Sequence, residues 1–251
     1  MAELVETLRA PTGCIGLDKM LRGGLVEGYC AVLEGSPGTG KTTLGLQFLV
    51  EGAKRGEPGI AITFEEFPEQ YYENAMQLGW DLRALEAEGL LKVQFSDPLT
   101  FLQGLQDLEG HVSELVEGLG AKRLLVDSVS HFERLTEDAQ TLRRIETDLV
   151  HALKREGLTS ILLKENPHVL GGWDKGENRV AFIADALILL RYIELESEIK
   201  RGILVLKMRG SDHDKEIRQY TIREKGLVVG EPFQGVAGLF VGTGARGSDK
   251  N

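Results

Sequence analysis

Cysteine is scarce, an excess of positive charge is missing, and no long apolar run occurs. The two cysteines, Cys14 and Cys30, belong to no CxxC pair and no Cys/His cluster of metal-ligand spacing, so both are expected as core thiols. No apolar stretch approaches the ~20 residues of a membrane helix, which argues against a membrane partner. The first residues carry charges of mixed sign and lack a long apolar core, so they do not read as a secretory signal and a cytoplasmic location is expected. Lys and Arg number 29 against 39 Asp and Glu, a formal net charge of −10. That balance disfavours sequence-independent DNA binding, which cations drive by displacing counterions from phosphates, although a local basic patch could override it. Low-complexity tracts and repeats of solenoid length are absent from the body of the chain.

What is present suits one globular domain. The 251 residues are 42% hydrophobic and 27% charged, enough for a sizeable core in a single α/β unit spanning residues 1–251. "CAVLEG" reads as a buried strand, "GSPGTG" as a turn, and "KTTLGLQFLVEGAKRG" as a helix with a glycine stop. "GIAITFEE", "LKVQFSD", "KRLLVDSVS" and "TSILLKEN" read as further strands. Helices are predicted over "PEQYYENAMQLGW", from Leu99 to Leu119, and over "DAQTLRRIETDLVHALKREG", where Leu142, Ile145, Leu149 and Leu153 share a face. Strands alternating with helices imply a mostly parallel, twisted sheet with helices on both faces. "ADALILLRYIELESEIKRGILVLKMRG" and "RQYTIREKGLVVG" extend it as C-terminal antiparallel strands. The last ten or so residues, glycine-rich with a polar end, are expected to be mobile.

Gly35, Gly40, Lys41 and Thr42 satisfy G-x-x-x-x-G-K-[ST] between a strand and a helix. This spacing lets backbone N–H groups wrap a phosphate at a helix N-terminus, so Ser36, Gly38, Thr39, Gly40, Lys41, Thr42 and Thr43 are expected to hold ATP. Lys41 would neutralise the β and γ phosphates and Thr42 would ligate Mg2+. A carboxylate at the end of a buried strand completes such a cation site, and Asp127 in "RLLVD" fits. The residue after it is Ser128, so the base that activates water comes from elsewhere. Glu65 and Glu66 lie at the C-terminal end of the strand after the phosphate loop, pointing to opposite sides if extended; Glu65 is expected as the base and Glu66 as a helper. The alternative is a solvated charge pair ahead of a helix.

Lys207, Arg209, Ser211, His213 and Lys215 fall at every second position and would share one face of an extended chain. From spacing alone, an exposed strand edge protected by charge explains them as well. Over nearly its whole length, however, the chain resembles the KaiC-like branch of RecA-fold P-loop ATPases. "TGCIGLDKMLRGGL", "GSPGTGKTT", "FEE", "LLVDS", "ADALILL" and "LKMRGSDHDK" occur in that family's order.

The resemblance implies a ring of identical subunits, usually a hexamer, with ATP between neighbours. It implies that Lys207 and Arg209 act on the ATP of the adjacent subunit, with Ser211, His213 and Lys215 around the phosphates or sugar, and that Glu65 and Glu66 match the family's tandem glutamates. Two departures stand out. The clock protein of the family carries two such domains, so a clock role does not follow from one. The adjacent Ser and Thr phosphorylated in its second domain have no counterpart in "GENRVAFIAD", which leaves that autokinase cycle without an acceptor and leaves kinase activity on other proteins open.

"KENPHVLGGWDKGENRV" lies where RecA-like proteins place a DNA-contacting loop. It mixes glycines with His168, Trp173, Lys175 and Arg179; its Lys and Arg are matched by Glu165, Asp174 and Glu177, and Trp173 could stack on a base or sit pinned at an interface. Glu165 stands where related folds sense the γ-phosphate, or is an ordinary surface carboxylate. The leading expectation is a homo-oligomeric, Mg2+-dependent ATPase. Its alternatives are an ATP-gated scaffold recruiting an unidentified protein partner with little hydrolysis, and a RecA/RadA-like DNA-repair accessory.

Overall fold

The computed structural model describes residues 7–106, 110–167, 180–234, 236–237 and 245–246. Two short strands, β1 (Arg9–Ala10) and β2 (Leu25–Val26), pair around α1 (Ile15–Met20) and lead into β3 (Cys30–Gly35). Helix α2 (Lys41–Lys54), strand β4 (Gly59–Thr63), helices α3 (Pro68–Gln77) and α4 (Leu82–Ala87), and strand β5 (Leu91–Phe95) follow. Next come α5 (Pro98–Gln106), α6 (His111–Leu119), β6 (Arg123–Asp127), a 3-10 turn over Val129–Arg134, α7 (Ala139–Arg155) and β7 (Thr159–Glu165). After α8 (Val180–Ile183) the chain turns all-β through β8 (Ala186–Leu195), β9 (Glu198–Met208), β10 (Arg218–Arg223) and β11 (Gly226–Pro232).

These strands build a nine-stranded sheet in the order β11-β10-β9-β8-β3-β7-β6-β4-β5. From β8 to β5 the neighbours are parallel; β9, β10 and β11 are added antiparallel. The predicted α/β architecture with antiparallel C-terminal strands is what forms. Strand β3 is buried at every position because helices cover both faces, which is why its sequence is an apolar run instead of an alternation. Ala31 and Leu33 pack with Leu44 and Phe48 of α2, while Cys30 and Val32 pack on the opposite face with Leu149 and Leu153 of α7. Both cysteines are buried and free, as expected.

Three local expectations are corrected. The single helix from Leu99 to Leu119 is two, because Gly110 takes an extended conformation (φ −78°, ψ 159°) and caps α6. The helix over "PEQYYENAMQLGW" stops at Gln77; Gly79 turns left-handed (φ 77°) and Asp81 then caps α4 through the Ala84 N–H at 3.0 Å. Strand β9 ends at Met208, and Gly210 at φ 62° turns the chain, so Lys207 to Lys215 do not share one extended face. The mobility expected of the last ten residues lies outside the described residues, apart from Ala245–Arg246, which pair with Val236–Ala237. Among the described residues no helix is long and apolar enough to cross a membrane.

Arg123, fully buried at the start of β6, ties this frame to the helical layer above it. Its guanidinium donates to the carbonyls of Pro11 (2.6 Å) and Phe48 (2.8 Å) and to Glu57 Oε2 (2.8 Å). Arg123→Met keeps the apolar stem but strips two buried carbonyls of their donors. A loss of about 2 kcal/mol in urea unfolding is expected, and an unchanged midpoint would show that the network is not stabilising.

Candidate nucleotide site

The site lies at the C-terminal edge of the parallel strands, where loops leave the sheet and helix α2 begins. Gly40 caps α2 in a left-handed conformation (φ 92°), and a Cβ there would meet Ile222 Cδ1 at 2.6 Å. Glycine is thus demanded by conformation, and a side chain there would also have to displace the tip of Ile222. The loop is braced from within and behind: Thr39 Oγ1 donates to the Ser36 carbonyl (2.7 Å), and Tyr220 Oη of β10 donates to the Thr39 carbonyl (2.6 Å). At Gly38, a side chain would collide with the Tyr192 hydroxyl at 2.7 Å.

Lys41 is 9% exposed, with Nζ 3.3 Å from the Ser36 carbonyl. Burial pushes its amine below the ordinary lysine value, and the carboxylates of Glu165 and Asp127 pull the other way. A cation held at the positive end of a helix is a poor structural choice and a good anion receptor. Thr42 Oγ1 donates to Asp127 Oδ2 at 2.7 Å, joining the first turn of α2 to the end of β6. A hydroxyl and a carboxylate touching at the mouth of a phosphate loop form a hard-oxygen corner suited to Mg2+. Among the described residues no group of three or more His, Cys, Asp or Glu could hold a metal by itself, so phosphate oxygens and water would complete the shell.

Glu65 and Glu66 sit in a bend after β4, not on the strand. Thr63 Oγ1 donates to the Glu66 carbonyl (2.9 Å) and accepts from the Glu66 N–H (3.2 Å), and the Phe64 N–H donates to the Asp127 carbonyl (3.1 Å). Glu66 lines an open cleft of about 580 Å³ with Thr42, Thr43, Gln77, Arg223 and Glu224. Burial raises its carboxyl above the ordinary value, and the charges of Asp127 and Glu65 add to that rise. Glu65 lies on the other side, its Oε2 3.5 Å from His131 Nε2. His131 follows Ser130, whose hydroxyl accepts from the Glu165 N–H at 2.9 Å. Glu65 therefore faces the 3-10 turn that carries Ser130 and His131, while Glu66 borders the cleft.

Nothing in the local sequence marks several further groups here. Glu34, buried inside β3, accepts from Arg191 of β8 and from Asn166 Nδ2 (2.9 Å), and the Asn166 N–H donates to the Gly35 carbonyl (3.0 Å). Tyr71 of α3 donates to Asp127 Oδ2. These partners lie dozens of residues apart in the chain, and only strand order brings them together.

The cations of the last third lie elsewhere. Met208 pairs with Ala186 and Ala186 with Ala31, at the start of β3, whereas the phosphate loop leaves from Gly35. Four residues of strand, about 13 Å at ~3.3 Å each, separate the two edges. Lys207 Nζ donates to the carbonyls of Ala184 (2.7 Å) and Phe182 (3.2 Å), and Arg209 Nη2 to that of Phe182 (2.7 Å). Burial, then the neighbouring Arg209, lowers the Lys207 amine below its ordinary value. Ser211 Oγ accepts from Arg9 Nη2 at 2.7 Å, His213 is half-buried with Nδ1 unpartnered among the described residues, and Lys215 is exposed. His168, Trp173, Lys175 and Arg179 lie outside the described residues.

A family model described as "ATPase: KaiC" matches residues 10–234. The chain belongs to the KaiC ATPase family. Among KaiC relatives it is 35% identical over 239 residues to "Circadian clock protein KaiC3" of Synechocystis sp., covering 94% of this chain and 46% of that one. It is 34% identical to "Circadian clock oscillator protein KaiC" of Picosynechococcus sp., covering 95% of this chain and 46% of that one. The chain thus spans about half the length of the clock relatives it matches. It is also 34% identical to "UPF0273 protein PH0284" of Pyrococcus horikoshii, and there the match takes in 89% of this chain and 94% of the relative. Membership in the KaiC family agrees with the RecA-like sheet and with the phosphate loop at one edge of it.

Proposed function

We propose that this KaiC-type domain binds ATP with Mg2+ and hydrolyses it in a ring of identical subunits, each site being completed by its neighbour. The observation that carries the proposal is the 2.7 Å contact between Thr42 and Asp127 beside the buried Lys41. That contact sets a hydroxyl and a carboxylate side by side, the donor types that Mg2+ takes. Backbone N–H groups from Ser36 to Thr43 would cradle the phosphates, and Lys41 would neutralise the β and γ oxygens. Mg2+ held by Thr42 and Asp127 would supply charge neutralisation at the same oxygens.

Glu65, beside His131 at the end of the bend after β4, is assigned the role of accepting the proton of the attacking water. Glu66 stands by the cation corner and the cleft. Lys207 and Arg209 cannot reach the phosphate loop of their own subunit across the width of the sheet. They are instead presented at an edge where they could face the phosphates of an adjacent one and stabilise charge in the transition state. Ser211, His213 and Lys215 follow them in the same segment.

The test is Mg2+-dependent ATP hydrolysis per subunit across a protein dilution series, with Lys41→Ala as the blank. Specific activity is expected to fall on dilution as sites lose their neighbours. A constant specific activity over the range in which the oligomer dissociates would overturn shared sites. ATP binding with no turnover at any concentration would instead make the domain a nucleotide-gated scaffold.

A further inference from the structure

One buried hydroxyl at this site has no part in the scheme above. Tyr71 of α3 is 2% exposed, and its Oη donates to Asp127 Oδ2 at 2.5 Å. The same oxygen accepts from Thr42 Oγ1. We propose that Tyr71 is a positioning residue: its phenol holds the Asp127 carboxylate in the orientation that captures a divalent cation, and ties α3 to that carboxylate so that the Glu65–Glu66 bend is pinned at both ends. The inference rests on Asp127 being a cation ligand, as proposed above.

Two observations support it. Tyr71 and Thr42 both donate to Asp127 Oδ2, and Tyr71 is the one of these two donors that is not itself a candidate cation ligand. A carboxylate with one oxygen already engaged offers the other in a fixed direction.

The bend supplies the second. Its first end is held by the Phe64 N–H on the Asp127 carbonyl and by the paired contacts of Thr63 with Glu66. Its second end is the N-terminus of α3, which starts at Pro68, one turn before Tyr71. Both ends are therefore anchored on Asp127, one through its backbone and one through its side chain.

The experiment measures Mn2+ binding by electron paramagnetic resonance in the presence of a non-hydrolysable ATP analogue, for the wild type, Tyr71→Phe and Asp127→Asn. Nucleotide affinity in excess chelator and the unfolding midpoint are recorded beside it. Tyr71→Phe is expected to bind Mn2+ about tenfold more weakly with metal-free nucleotide affinity unchanged, since partners behind a metal ligand commonly carry that much affinity. Wild-type Mn2+ affinity in a folded Tyr71→Phe would overturn the role of the tyrosine alone. An equal loss of metal-free nucleotide binding would also overturn it, showing general loosening of the site. If Asp127→Asn binds Mn2+ as the wild type does, the cation corner fails and both proposals fall.

Discussion

Glu65→Gln is expected to lower ATP turnover about a hundredfold while leaving nucleotide binding within a factor of two, because a positioned base commonly contributes that much. The amide keeps the shape and the reach to His131, so the bend after β4 is preserved, but it cannot take a proton from water. Glu66→Gln is expected to do something different. Its carboxyl lies beside Asp127 and lines the cleft with Thr42 and Thr43, so its loss should raise the Mg2+ concentration needed for half-maximal rate more than it lowers the rate at saturation. The measurement is steady-state hydrolysis at saturating ATP over a Mg2+ titration for the two variants. A Glu65→Gln enzyme with wild-type turnover, beside a Glu66→Gln enzyme without any, would exchange the two roles.

Two inactive variants are expected to regain activity when mixed. Arg209→Ala removes the cation from the edge proposed to face a neighbour, and Lys41→Ala removes the receptor from the site itself. The two residues lie at opposite ends of the strands, and under the proposed sharing of sites no subunit needs both for one site. In an equimolar ring of randomly mixed subunits, about a quarter of the interfaces would pair an intact phosphate loop with an intact Arg209, so hydrolysis should recover to roughly a quarter of the wild-type level. Each variant alone should fall by about a hundredfold or more, the usual cost of deleting a charge aimed at the transition state. The mixing must include a dissociation and reassembly step, followed by size-exclusion chromatography to show that rings have reformed. Failure to recover in mixed rings, or an active Arg209→Ala enzyme, would place the cation elsewhere.

The legible features are those whose partners are near in sequence. The phosphate loop needs nine consecutive residues, Gly35 to Thr43, and glycine at position 40 is required by one local dihedral angle. Alternating apolar segments of strand and helix length were enough to set the class of fold, and "RLLVD" announced a carboxylate at a sheet edge. Reading fails where one residue overrides a pattern. Gly110 splits an apolar period that spans α5 and α6, and Gly210 ends an alternation that otherwise suggests a cationic strand.

From sequence alone, then, this protein is an α/β domain with a phosphate receptor, a candidate cation ligand at Asp127 and a pair of candidate bases, since each is written in short spacings with a direct physical meaning. Tertiary structure decided which of these groups touch. It put Asp127 against Thr42, set Tyr71 behind the same carboxylate, turned Glu65 and Glu66 toward different sides, and carried Lys207 and Arg209 to the far edge of the sheet. Those outcomes depend on strand order and register, which arise from the packing of the whole sheet between its two helical layers and leave no signature in any one segment.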